Sequence, residues 1–455
     1  LSPSFPVRGW VGWAAGSLTY VVALFHRGSL GVAGPMAADR LGVDATALSV
    51  FSAVQLGVFA ATQVPVGLFV DRYGPRRMLT VSLLVMAAGQ AMVAGGESFA
   101  AVLLGRALLG CGDALVMISV LRLVTAWFPV ARTAVLAQVT VVVGTAGGLA
   151  AAPPLSAALR AFGWEPVFFA VALVTACLTV AVWQAVRDTP PGTRLLPLGG
   201  MAGGSSPGKQ LAGAWRQPTT RLGLWLMFTV HFPVQVFVLL WGFPFLTQGQ
   251  GLSETTASYV LAVPLMVTMA LGPLFGVLSG RRPQWRIPLV FGIAAATTLT
   301  WSAVLLWPGT QAPLPVLFLL AAVLGLGNPA AVFGLDIARS GSAPHRVGVA
   351  SGIANSGGYT AALLAMVLIG VTLDSTHAPN AAPGLADFRI ALATQLLIQV
   401  CGVGLLVRHL RTSRTPCPQA WPTTITPPKS RGRWPRDAPA VPARRVTQRR
   451  CRGRP

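Results

Sequence analysis

Residues 67–77 read Gly67-Leu-Phe-Val-Asp71-Arg72-Tyr-Gly74-Pro-Arg76-Arg77, and this short charged turn lies between two long apolar blocks, 46–70 and 78–96. Gly67 lets another helix approach closely, and Gly74 allows a tight reversal. Asp71, at the edge of an apolar run, calls for a cation or a helix N-terminus as its partner. The arginines that follow belong in a basic loop at a membrane surface.

The rest of the chain has the same grain. It is 455 residues long, 53% hydrophobic and 10% charged, whereas soluble domains carry about 25% charged residues. A bilayer, unlike water, accepts that much apolar surface. Blocks of about 20 or more residues, enough to cross about 30 Å of hydrocarbon as helix, fall at 10–33, 46–70, 78–96, 99–122, 132–155 and 164–186. Six more fall at 221–245, 256–279, 287–307, 314–338, 347–372 and 387–409. The expected fold is an all-α membrane protein of twelve helices in two six-helix bundles, 1–187 and 221–411. A Gly-, Pro- and Ser-rich linker, 188–220, is expected to be flexible, and 412–455 reads as a disordered basic tail. The first block is too long for the apolar core of a cleaved signal and runs into a polar loop without a cleavage site, so it reads as a span.

The net charge of +22 raises the question of nucleic acid. Placement answers it. Arg8, Arg72, Arg76, Arg77, Arg132, Arg187, Arg194, Lys209, Arg216, Arg281, Arg282, Arg286, Arg339, Arg346 and the tail fall on one side of the predicted topology. Arg40, Arg160 and Arg389, each near an acidic residue, fall on the other. The positive-inside rule then puts both termini and the linker in the cytoplasm of a cell whose plasma (inner) membrane holds the protein, and no nucleic-acid partner is expected. Cys111, Cys177, Cys401, Cys417 and Cys451 form no C-x-x-C pair, so no metal site is expected. The chain has no G-x-x-x-x-G-K-[ST], H-E-x-x-H or G-x-S-x-G motif, which argues against ATP-driven transport, a membrane protease and a lipase. The expectation is a membrane protein that is not an enzyme, with no cofactor.

Charges also occur inside the blocks. Arg27, beside His26, lies in the first helix, and Arg106 and Asp113 lie in the fourth. A separation of seven residues puts Arg106 and Asp113 on one helix face, about 10 Å apart. A charge in lipid costs about 2.5–3.5 kcal/mol on insertion scales, so these side chains should face a cavity. Two arginines against one carboxylate leave a positive charge over, which favours an anionic ligand. In the eleventh helix Asn355 and Tyr359 share a face and can donate to that ligand. His231, Pro233 and Gln235 in the seventh helix and Asn328 before Pro329 in the tenth suggest kinks. Trp10, Trp13, Trp301 and Trp307 fit interfacial anchors, and Asp336 is expected to pair with Arg339 or Arg346.

The 67–77 stretch resembles the signature G-x-x-x-D-R-x-G-R-R of the major facilitator superfamily, with Pro75 at one variable place, and Gly276-Val-Leu-Ser-Gly280-Arg281-Arg282 repeats it weakly. The resemblance spans about 10–410 and implies two six-helix bundles around a central cavity that opens alternately to the two sides. It assigns Gly67, Asp71, Arg72, Gly74, Arg76 and Arg77 to a cytoplasmic gate. Arg27, Arg106 and Asp113 are similar to the anion:cation symporter branch, which includes sugar-acid and organic-anion transporters. His26 stands where that branch carries an acid. The resemblance implies that Arg27 and Arg106 bind a carboxylate or phosphate and that Asp113 carries a proton. His26 can carry one too near neutral pH. The partners implied are a small anion, protons and the bilayer, with a monomer sufficient. A proton-coupled exporter is the main rival, although Ala152 before Pro153 departs from the drug-antiporter signature. A non-transporting membrane sensor on the same fold is the other.

Overall fold

The computed structural model describes residues 7–42, 45–151, 153–190, 207–309, 311–343, 346–376 and 383–412. The expected tail lies outside these residues, apart from Thr412.

The chain is helical throughout the described residues. The first half comprises α1 (Val7–Leu41), α2 (Ala45–Tyr73), α3 (Pro75–Gly95), α4 (Phe99–Trp127), α5 (Val130–Ala150), the short α6 (Pro153–Phe162) and α7 (Trp164–Ala185). After α8 (Pro207–Arg216) the second half has α9 (Pro218–Val230), α10 (Phe232–Val236), α11 (Gly242–Pro244), α12 (Glu254–Arg281) and α13 (Arg286–Leu305). It ends with α14 (Leu314–Gly325), α15 (Gly327–Ser340), α16 (Val347–Thr376) and α17 (Leu385–Thr412). Among the described residues, eleven helices are long and apolar enough to cross a membrane. The 35-residue α1 packs on α4, α5 and α7 and makes a twelfth span.

Helix is forced here because lipid offers no partner to a free peptide group. Chain chemistry sets the breaks. Gly74, at φ 82°, separates α2 from α3, and Pro75 follows where its missing N–H costs nothing. Ser98 and Ser253 cap α4 and α12 by accepting the N–H groups of Ala101 and Thr256. Outward faces stay apolar: Leu173, Val174 and Val180 on α7, Leu299 on α13, and Leu397 and Val400 on α17 are all exposed. Water would reject such a surface and acyl chains accept it.

Two expected spans are not continuous. α9 stops at Val230; Pro233 follows in α10, and π-helical turns at Phe237–Trp241 and Phe245–Gly249 complete the seventh span. The tenth divides at Leu326, just before Asn328-Pro329. Within 188–220, α8 is an ordered helix packed on α16, α9 and α2, where a flexible linker was expected. Trp301 is no interfacial anchor, since only 1% of it is exposed and its ring meets Phe237 and Phe245. Trp13 is half-buried and donates to Thr140 Oγ1 at 3.0 Å, while Trp10 stays exposed against Trp13 and Phe128.

The halves meet along two seams, α2 with α16 and α5 with α12. Small residues make both possible. A methyl at Gly276 would lie 2.9 Å from Val135 Cα, and one at Gly67 would lie 2.5 Å from the Gly348 carbonyl oxygen. Beside the second seam, Gln138 Nε2 on α5 donates to the Pro329 carbonyl on α15 at 2.7 Å.

Candidate functional site

A cavity of about 350 Å³ sits between the halves. Among the described residues, Arg27, Arg106 and Asp113 are the charged ones that line it. α1 and α4 bring Arg27 to Asp113, with Nε at 2.8 Å and Nη2 at 2.7 Å from the same oxygen, Oδ2. The Asp113 side chain is 2% exposed and its Oδ1 is buried without a partner. Arg27 also donates to the Tyr359 hydroxyl at 3.2 Å and lies 4.7 Å from the Phe59 ring centre, a cation–π contact.

Arg106 is arranged differently. Although it shares a helix with Asp113, it makes no ion pair among the described residues. Its Nη1 reaches the His26 carbonyl at 3.2 Å and Ser29 Oγ at 3.5 Å, its Nε has no partner, and the residue is 1% exposed. A buried cation without a counter-ion is costly, and an anion in the cavity would supply one.

His26 does not join this group. Its Nδ1 meets Gln90 Oε1 at 3.0 Å and its Nε2 meets Thr175 Oγ1 at 3.1 Å, so the ring is held among α1, α3 and α7, away from the cavity. Asn355 and Tyr359 do line the cavity. Asn355 donates to Gln63 Oε1 at 2.7 Å, and Tyr359 packs between Phe59 and His231. The kinks in the seventh and tenth spans bring His231, Gln235 and Asn328 to the opposite wall. There Gln235 Nε2 lies 3.2 Å from His231 Nε2 and 3.3 Å from Asn328 Oδ1, and Asn328 donates to Thr268 Oγ1 at 3.3 Å.

Below the cavity, the 67–77 turn closes one end. Asp71 accepts the N–H groups of Gly348 and Val349, both at 2.9 Å, so its carboxylate caps the N-terminus of α16 in the other half. Arg122 lies 3.7 Å away. Asp188 Oδ1 accepts the Arg76 N–H at 2.7 Å, and a methyl at Gly74 would collide with that carboxylate. Burial pushes the Asp188 carboxyl above the usual range, against the pull of the Arg76 N–H and of Arg76, Arg77 and Arg122. Arg76 stacks on Trp183 at 3.9 Å, whereas Arg72 and Arg77 are exposed. In the second half, Asp336 pairs with Arg339 and accepts from Ser279, which Arg286 holds in turn.

Reading the sequence missed Gln55, Phe59 and Gln63, all on α2 facing the cavity or the seam. A signal existed: Gln55 and Gln63 are two turns apart in an apolar helix, which puts their amides and Phe59 on one stripe.

A family model described as Major Facilitator Superfamily matches residues 16–381. The chain is 25% identical over 376 residues to a probable sulfoacetate transporter of Cupriavidus necator, covering 79% of this chain and 86% of that one. It is 25% identical over 250 residues to a hexuronate transporter of Bacillus subtilis, covering 54% and 58%. It is 23% identical over 399 residues to a probable galactarate/D-glucarate transporter of Escherichia coli, covering 78% and 86%. With its membrane-spanning helices gathered around one central cavity, this chain belongs to the Major Facilitator Superfamily and is a membrane transporter, not an enzyme.

Proposed function

We propose that the protein imports a small organic anion together with protons, by alternating access between its halves. The observation that carries this reading is Arg106, a buried guanidinium facing the cavity with no carboxylate partner, beside an Arg27–Asp113 pair that is already neutral. The site carries one positive charge over balance, and an anion offsets it. Relatives named for sulfoacetate, hexuronate and galactarate/D-glucarate point to the same broad class.

The anion binds Arg106 and draws Arg27 toward itself, with Tyr359 and Asn355 completing the contacts. Arg27 then loosens its hold on Asp113, and the carboxylate takes up a proton. With both bound, the halves can rock past each other. The bundles 1–187 and 221–411 are the moving bodies, joined through 188–220, and the termini, linker and 412–455 lie in the cytoplasm below the plasma membrane. Gly67, Asp71, Arg72, Gly74, Arg76 and Arg77 form the cytoplasmic gate, closed by the Asp71 cap on α16. Asp113 is the proton carrier. His26, bonded on both nitrogens outside the cavity, holds α1 in place. Every residue in this scheme comes from one chain, so a monomer suffices.

The test is uptake of labelled organic anions into proteoliposomes under an inward proton gradient. Accumulation that collapses with a protonophore and is lost in Arg27→Ala and Arg106→Ala is the expected result. Gradient-driven expulsion of cations or neutral compounds, with no anion uptake, would move the protein to the exporters.

A further inference from the structure

We propose that α8 is a surface anchor that binds anionic lipid headgroups in the leaflet beside the 67–77 turn, and that its docking holds that end of the cavity closed. The second clause rests on the gate reading above; the first does not.

Position comes first. The seventh span starts directly after α8, with Gln217, extended at ψ 123°, as the single residue between α8 and α9. α8 therefore lies at a membrane surface. It packs back on α16, α9 and α2, at the end where Asp71 caps α16.

The sequence of α8 then divides its surface into three strips, at about 100° per residue. Ala214 is fully buried and Gln210 and Gly213 are half-buried, so this strip meets the protein. Leu211 and Trp215, one turn apart, form a second strip and are 36% and 45% exposed. Lys209 and Arg216, two turns apart, form the third, on the opposite flank, and both are exposed. Water would leave Leu211 and Trp215 uncovered. The headgroup–acyl boundary covers them and keeps the cations at headgroup level.

Charge selects the lipid. No acidic residue occurs between Asp188 and Glu254, and neither Lys209 nor Arg216 makes an ion pair among the described residues. Arg346 adds a third cation. Gly213 borders the basic strip, a methyl there would lie 2.6 Å from Arg346 Nη1, and Arg346 Nε is buried without a partner among the described residues. An anionic lipid offers a phosphate to the cations and acyl chains to Leu211 and Trp215. The Arg-rich stretch 412–455 of this chain carries the same sign of charge and does not suit the basic strip.

The contact with Arg346 connects α8 to the closed end. Arg346 stands two residues before Gly348, whose N–H Asp71 accepts. Since α8 touches both α2 and α16, a docked α8 fixes both sides of that seam.

The experiment uses the full chain with its five cysteines replaced by Ser and a spin label on Ala212→Cys, at the middle of the exposed arc. Collisions with oxygen and with a neutral nickel chelate are compared in phosphatidylcholine vesicles and in a phosphatidylcholine–phosphatidylglycerol mixture. Phosphatidylglycerol should raise oxygen access and lower chelate access, whereas inorganic phosphate added to phosphatidylcholine vesicles should do neither. The pair Lys209→Gln and Arg216→Gln should lower the docked-to-undocked ratio roughly thirtyfold, from about 1 kcal/mol per cation at an anionic surface. The charge-keeping pair Lys209→Arg and Arg216→Lys should behave like the parent. Equal access in the two lipids, an effect of free phosphate equal to that of the lipid, or a label shielded from both reagents throughout would overturn the anchor; the last would mean that another part of the chain covers this face. Labels at Arg77 and Arg281 read the second clause: phosphatidylglycerol should enlarge the share of short distances in the parent and not in the Gln pair. Docking without that change would overturn the link to the gate and leave the anchor standing.

Discussion

Asn355 on α16 donates to Gln63 on α2 at 2.7 Å, and this bond joins the two halves between the cavity and the Asp71 cap. It belongs to a ladder. Phe59 packs on Tyr359, Gln63 bonds Asn355, Gly67 touches Gly348, and Asp71 caps Gly348 and Val349. The α2 positions are spaced by four, so the seam is one face of one helix, leading from the Arg27–Tyr359 contact down to the 67–77 turn.

Breaking the ladder should open that end. Gln63→Leu leaves the Asn355 amide buried and unpaired, at a cost of about 1–3 kcal/mol to the closed state. Spin labels at the exposed Arg77 and Arg281 positions should report a larger share of long distances in Gln63→Leu and in Asn355→Leu. The double variant should add little to either. An unchanged distance distribution would show that the bond does not hold the gate.

Gly67→Ala tests the same seam by crowding. Its methyl would sit 2.5 Å from the Gly348 carbonyl oxygen, whereas a methyl at Gly57 on the same helix meets nothing within 4 Å. Overpacking of this kind costs about 1–3 kcal/mol, so the initial uptake rate in Gly67→Ala should fall by about tenfold or more. Gly57→Ala should transport like the parent and be slightly more heat-stable. Equal rates in the two variants would remove close packing from the account of the gate.

Asp113→Asn keeps the size of the side chain and removes the charge that Arg27 holds. Proton-driven accumulation should vanish while exchange of labelled for unlabelled anion persists. Measuring both in one preparation separates coupling from binding; a variant that still concentrates substrate would clear Asp113 of the proton role.

Arg106→Met removes a buried cation that has no ion-pair partner. Replacing a buried charge with an apolar side chain of similar reach is often neutral or stabilising, by about 1–4 kcal/mol. Tm should stay level or rise while anion affinity drops at least about a hundredfold, the loss of a charged hydrogen-bond partner. A large fall in Tm would mean that Arg106 is structural.

His26→Ala should do the reverse. It deletes bonds to Gln90 and Thr175 in a buried position, so Tm should drop, while the folded protein keeps proton-driven accumulation. Loss of coupling at unchanged Tm would return a proton role to His26.

Much of this protein was legible in its sequence because lipid imposes rules that act locally. Each span must be long, apolar and helical. The Gly67–Arg77 turn and the intramembrane charges stand out for the same reason, since charge inside hydrocarbon is expensive wherever the chain later folds. The sequence also identified Arg27, Arg106, Asp113, Asn355 and Tyr359 as residues facing one cavity, where the structure places them all. Partner choice was a different matter. Arg27 and Arg106 are equivalent on paper, and only the crossing of α1 with α4 gives Asp113 to Arg27 and leaves Arg106 alone. His26 and Arg27 are neighbours on one helix, and a rotation of about 100° per residue decides that one meets α3 and α7 and the other the cavity. Trp301 looked like an anchor by its position near a helix end, yet packing in the second half buries it. Local composition thus determined which residues enter the membrane and which of them are costly there. Contacts between residues hundreds of positions apart, such as Gln63 with Asn355 and Asp71 with Gly348, exist only once the helices have packed, because no local rule sets which helix face meets which.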